Sequence, residues 1–165
     1  MPKRPDNLRN TGDLEWEEDG HGQTYQVRRK YLARDTGGQS QLGCSLYEVP
    51  PGKKDWPLHF HHANEEAIYV LSGTGTLRMP NGSHPISPGD YAHFQRKPSH
   101  AHQIINTGTE PLRFLVMSGQ VHPDVTEYPE EGKMGVFCGG APGTPDTVRT
   151  VNEVHLRDAA VGYWQ

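Results

Sequence analysis

Pro57-Leu58-His59-Phe60-His61-His62-Ala63-Asn64-Glu65-Glu66-Ala67-Ile68-Tyr69-Val70-Leu71-Ser72-Gly73-Thr74-Gly75 is the stretch on which the reading of this chain turns. Leu58 to His62, Ala67 to Leu71 and Thr74 to Met79 are short runs, too brief for helices and separated by polar or turn-forming residues, so they read as strands. On a strand, residues two apart share a face, so His59 and His61 send both imidazoles into one space, while His62 points away. Neutral imidazole is the commonest ligand for transition metals. Glu65-Glu66 follows after a three-residue connector, and a carboxylate there can complete a ligand set. Taken alone, a His-x-His pair is common without any metal, and Glu65-Glu66 is a solvated hairpin flank.

The pattern continues on both sides. Thr24 to Leu32 carries Tyr25, Val27 and Tyr31 at alternate positions, and Gln41 to Val49 sets Leu42, Cys44 and Leu46 on one face. Pro50-Pro51-Gly52 and Pro88-Gly89-Asp90 force turns, and Pro80-Asn81-Gly82 is a hairpin signal, since Asn-Gly supplies the positive φ of a tight turn. Tyr91 to Gln95, His102 to Asn106 and Leu112 to Ser118 finish the series. No stretch before Asn152 has the 3.6-residue period of a helix. Many short strands with regular turns predict an all-β antiparallel sandwich or barrel. Three segments are expected: an acidic arm over 1–20, with Leu14 and Trp16 docking on the domain or on a partner subunit; the barrel over 21–119; and a long irregular tail over 120–165. The tail should pack on the barrel through Phe137, Tyr163 and Trp164, because an unanchored Gly/Pro-rich segment gains nothing to offset its ordering entropy.

Composition narrows the function. The 165 residues suit one domain, and Gly with Pro supplies a fifth of them. Sixteen basic against twenty acidic residues give a net charge of −4, and no basic stripe extends beyond Arg28-Arg29-Lys30, so nucleic acid is not an expected partner. No run approaches the ~20 apolar residues of a membrane span. The N-terminus shows no secretory signal, and Cys44 and Cys138 read as reduced thiols of a cytoplasmic protein. Histidine is the outlier: seven of the ten lie between His59 and His102. His102 stands on a later strand, where only the fold can bring it to His59, His61 and Glu66.

The quoted stretch resembles the first motif of the cupin superfamily, His-x-His, three or four residues, Glu, six residues, Gly; Glu66 keeps the spacing to Gly73 and Glu65 does not. The second cupin motif ends in His, three residues, Asn, matched here by His102 to Asn106. Pro88-Gly89-Asp90 sits where cupins carry a Gly-Asp turn. One departure is Ser99, standing where the family often has Gly, which leaves room for His100 to reach the site. The chain is thus similar to the small single-domain (monocupin) members of that superfamily. The resemblance implies a double-stranded β-helix, or jelly-roll barrel, with His59, His61, Glu66 and His102 ligating one divalent metal ion, Fe, Mn or Ni, with Zn also open.

A metalloenzyme acting on a small polar molecule is the expected function, of the oxygenase or isomerase/epimerase type; the fold cannot choose between them. The alternative is a non-catalytic cupin that binds or senses a small, sugar-like ligand. No acid/base pair announces itself; Tyr47, His93, Arg78 and Arg113 are candidates, each more often structural or superficial. A homodimer is expected, because a sandwich leaves sheet edges to cover and the arm carries Leu14 and Trp16.

Overall fold

A computed structural model describes residues 5, 7–33, 40–141, 143–144 and 146–164. Thirteen strands follow one another: β1 (Glu17–His21), β2 (Tyr25–Ala33), β3 (Leu42–Val49), β4 (Phe60–His61), β5 (Glu66–Ser72), β6 (Gly75–Met79), β7 (Gly82–Ile86), β8 (Tyr91–Phe94), β9 (Gln103–Ile105), β10 (Leu112–Gly119), β11 (Asp124–Tyr128), β12 (Lys133–Cys138) and β13 (Val151–Leu156). Helix among the described residues is confined to three-residue 3-10 turns. Every pairing between these thirteen strands is antiparallel, and a single parallel bridge among the described residues joins Tyr25 to Lys54.

One sheet has six strands in the order β1-β2-β3-β10-β5-β8. The opposing layer is built from two pieces, β13-β12-β11-β4 and β7-β6-β9. They meet where His59 and His102 exchange backbone hydrogen bonds, His59 N–H to His102 O at 3.2 Å and His102 N–H to His59 O at 2.9 Å. The fold is the all-β antiparallel architecture that the strand pattern predicts, of the double-stranded β-helix type that the motif resemblance implies. Val27, Val49, Val70, Leu112 and Phe114 fill the space between the layers. Gly73 shows why the motif needs glycine: its φ of +80° is left-handed, and a Cβ there would stand 2.6 Å from the Pro111 carbonyl oxygen.

Two expectations are corrected. The segment 120–165 is not an irregular tail. It supplies β11 to β13, and β11 pairs with β4 through Thr126 opposite His61 and Glu127 opposite Phe60. The β11–β4 pairing escapes a short-range reading because its partners lie up to 65 residues apart. Of the segment's expected anchors only Phe137 is buried, at 8% exposure; Tyr163 and Trp164 pack on each other and are 89% and 92% exposed. The arm, too, is partly sheet: Glu17–His21 pairs with β2, and Trp16 is covered within the chain by Arg28 and Lys30, 4.7 and 4.8 Å from its ring. In β3, Tyr47 and Val49 join the core between the layers, while on the Leu42-Cys44-Leu46 face Leu42 is exposed and Leu46 is buried. Glu48 shares that face and is buried; Arg28 and Arg113 each donate to one of its oxygens, at 2.7 and 2.6 Å, so neither oxygen is left bare.

Replacing Phe137 by Ala is expected to cost about 3 kcal/mol of unfolding free energy. Trp164→Ala should stay within about 0.5 kcal/mol. Urea unfolding of both variants checks the pair.

Candidate metal centre

The four residues singled out by the motifs converge. His59 precedes β4, His61 lies in it, Glu66 opens β5, and His102 precedes β9. Strand alternation aims His59 and His61 inward, and the backbone bridge between His59 and His102 sets those rings 4.7 Å apart, centroid to centroid. The ligand atoms of His59, His61 and Glu66 lie within 4.8 Å of one another. The Nε2 atoms of His59, His61 and His102 stand 3.8, 3.5 and 3.1 Å from Glu66 Oε2.

Each imidazole is oriented through its other nitrogen. His59 Nδ1 donates to Pro57 O (2.9 Å) and His102 Nδ1 to His100 O (3.1 Å). His61 Nδ1 donates to Asp124 Oδ2 at 2.6 Å, with the Thr126 hydroxyl oxygen 3.0 Å away. A carbonyl or carboxylate only accepts, so each proton sits on Nδ1, and each Nε2 lone pair is left to face the common point. Phe94 stacks flat under His102 with centroids 3.7 Å apart. Three imidazole nitrogens and one carboxylate, each ring held by a fixed partner, make a donor set that fits a divalent transition metal.

Burial and ion pairing pull the groups of the centre in different directions. Burial, with His102 and His61 beside it, pushes His59 down to about 3, so it stays neutral and able to ligate. Burial alone would lower His61 and raise Glu66. The ion-pairing geometry reverses both: Glu66 and Asp124 hold His61 above its ordinary value, and the three imidazoles hold Glu66 well below the carboxylate range.

The site opens on a cavity of about 580 Å³, lined among others by Arg29, Tyr47, Asp55, Ile68, Tyr128 and Arg149. Of the acid/base candidates, Tyr47 lines this cavity, where burial pushes its phenol up to about 12 and keeps it protonated. The others turn elsewhere: His93 meets Glu65, Arg78 pairs with Glu130, and Arg113 serves Glu48. His62 reaches out to Glu127 at 2.7 Å, as its phase requires. His100 does not reach the site: its Nδ1 accepts from the Gln95 N–H in the Pro98–His100 turn, and only its carbonyl serves His102. Sequence reasoning missed Asp124 and Asp55. Asp124 is 1% exposed and also accepts the Ala63 N–H. Neither carries a spacing signal, because each finds its place through a long-range strand pairing.

The family model for the cupin domain matches residues 45–118, and the chain belongs to the cupin superfamily. A solved structure from Acidithiobacillus ferrooxidans, provisionally named a sugar phosphate isomerase, is 30% identical, covers 94% of this chain and 96% of that one, and superposes with a TM-score of 0.76. A second structure, from Silicibacter pomeroyi, is 23% identical over 94% of this chain and 97% of that one, with a TM-score of 0.75, and shows the same fold. Auxin-binding protein 1 of Arabidopsis thaliana is 31% identical over 117 residues, 67% of this chain and 57% of that protein. An uncharacterized protein of Methanocaldococcus jannaschii is 36% identical over 70 residues, 42% of this chain and 54% of that protein. The chain spans little more than half the length of these curated relatives.

Replacing His61 or His102 by Ala is expected to abolish stoichiometric binding of a divalent metal, and His62→Ala to leave it intact. Elemental analysis of chelator-free preparations reads this directly. Asp124→Asn, which removes the fixed acceptor behind His61, should weaken metal affinity about 10- to 100-fold in a chelator competition.

Proposed function

We propose that this protein is a metal-dependent enzyme that isomerises a small phosphorylated sugar, with His59, His61, Glu66 and His102 holding one divalent ion. The convergence of those four side chains in the wall of a 580 Å³ cavity carries the reading. When bound, the ion would polarise a carbonyl or hydroxyl oxygen of the substrate. The chain's own residues supply the rest. Arg29 is held between the Tyr31 and Trp56 rings, 5.1 and 5.4 Å from their centroids, and Arg149 lies over Phe137 at 4.9 Å. Two guanidinium groups in one cavity wall, Arg29 also pairing with Asp19 of the same wall, suit an anionic group such as a phosphate. Ile68, Phe114 and Val116 add an apolar patch to the same cavity wall. The nearly full-length likeness to the Acidithiobacillus structure favours isomerisation over the oxygenase chemistry that the same donor set could also serve.

A second reading, ligand binding without turnover, is favoured by the likeness to auxin-binding protein 1. A homodimer in the cytoplasm belongs to the proposal as well. Tyr69, Leu71 and Tyr91 stand exposed on the outer face of the six-stranded sheet, with Tyr69 directly opposite Tyr91, and give a second copy an apolar surface to cover.

The proposal is tested by loading the protein with Mn(II), Fe(II) or Ni(II) and following aldose and ketose phosphates by proton NMR. Interconversion that stops when the metal is chelated is the expected outcome. Saturable binding of a sugar phosphate with no interconversion under any metal would favour the second reading.

A further inference from the structure

The cavity holds a carboxylate that the candidate metal centre does not use. Asp55 lies between β3 and β4 and is only 4% exposed. Its Oδ1 accepts two backbone hydrogen bonds, from Trp56 N–H at 2.6 Å and Ile104 N–H at 2.9 Å. Its own N–H donates to the Ile104 carbonyl at 3.0 Å, so the residue is pinned to β9 from both sides. Oδ2 makes no hydrogen bond, yet it is not sealed in the protein, and the residue lines the same cavity as His59, His61, Glu66 and His102. A buried carboxylate with one oxygen locked and the other bare is costly unless something enters to use it.

Resting on the isomerase reading, we propose that Asp55 is the proton-transfer residue of the reaction. The step is balanced within substrate and side chain. The Asp55 carboxylate takes the proton from the hydroxyl-bearing carbon beside the substrate carbonyl. The C–H electron pair becomes the carbon–carbon double bond of an enediolate, the carbonyl pair moves onto its oxygen, and that oxygen receives the proton that the neighbouring hydroxyl gives up. The Asp55 acid then returns its proton to the former carbonyl carbon, and the new carbonyl forms on its neighbour. No oxidant or reductant enters.

The environment of Asp55 suits this use. Burial lifts its carboxyl to about 7, with Glu66 adding to the rise, against the pull of the two backbone N–H bonds and of His102. Burial disfavours the bare carboxylate, so Asp55 gains by taking up a proton, as a general base must. The locked Oδ1 leaves only Oδ2 to face a substrate, which fixes the direction of transfer.

The experiment compares the metal-loaded wild type with Asp55→Asn in D2O, using glyceraldehyde 3-phosphate, ribose 5-phosphate and glucose 6-phosphate as probes. Loss of the carbon-bound proton signal next to the carbonyl reports the step. Asn keeps an Oδ1 acceptor for Trp56 and Ile104, so melting temperature and metal content should match the wild type, while exchange falls by about 100-fold or more. Exchange within about threefold of the wild type overturns the role of Asp55 and leaves the isomerase reading standing. No exchange by the wild type on any probe removes the isomerase reading and this proposal together. A second measurement needs no variant: the wild type is treated with a water-soluble carbodiimide and glycine ethyl ester, and modification of Asp55 is followed by mass spectrometry. Exchange lost in step with that label supports the role, and full exchange by labelled protein overturns it.

Discussion

Two backbone hydrogen bonds between His59 and His102 hold the candidate site and the fold together at one point. They join the two pieces of the second layer, which are otherwise separate sheets. The same pairing sets two imidazoles from distant parts of the chain side by side. A strand pairing fixes side-chain direction because the period is two, so a slip of one residue would turn His59 and His61 outward together. The architecture and the donor set therefore share one register. Glu66 enters from the opposite layer, where β5 sits between β10 and β8, and closes the set from across the core.

The electrostatics of the centre follow from that closure. With each Nδ1 proton held by an outward acceptor, three neutral imidazoles and a carboxylate turn only lone pairs toward one another, an arrangement that a divalent cation at the common point would satisfy. Each outward proton has its own acceptor, two of them backbone carbonyls and the third the carboxylate of Asp124. The protein thus holds the rings in the tautomer that a metal requires. It also keeps the one flexible acid of the set, Glu66, charged despite its burial.

Much of this was legible in the sequence, and the rest was not, for physical reasons. His59, His61 and Glu66 lie close in the chain, and strand periodicity alone places the two histidines on one face. His102 and Gly73 became legible through the spacing of the two cupin motifs. The strands from Thr24 to Ser118 showed themselves through alternation and turn residues. What stayed hidden had two causes. Lys133–Cys138 pairs with its near neighbours β11 and β13, and the Gly-rich stretch beside it masked the strand, whereas the buried acids depended on long-range contacts. Asp124 and Asp55 are ordinary acids in sequence; burial among particular backbone N–H groups gives them their chemistry. Tyr163 and Trp164 misled in the other direction, because aromatic residues near a terminus predict burial only where a surface is within reach.

The pairing of β11 with β4 also sets an order of events. His61 draws its strand partner and the acceptor for its Nδ1 from residues 124–126, 63 to 65 positions further along. A nascent chain that has delivered residues 1–119 already carries every imidazole and carboxylate of the centre. It lacks the strand that turns His61 inward and fixes its proton. Synthesis runs from the N-terminus, and contacts of long sequence separation form late. The centre therefore matures only as the C-terminal third docks, so a ribosome-bound or truncated chain is a reservoir of loose histidines rather than a half-active protein.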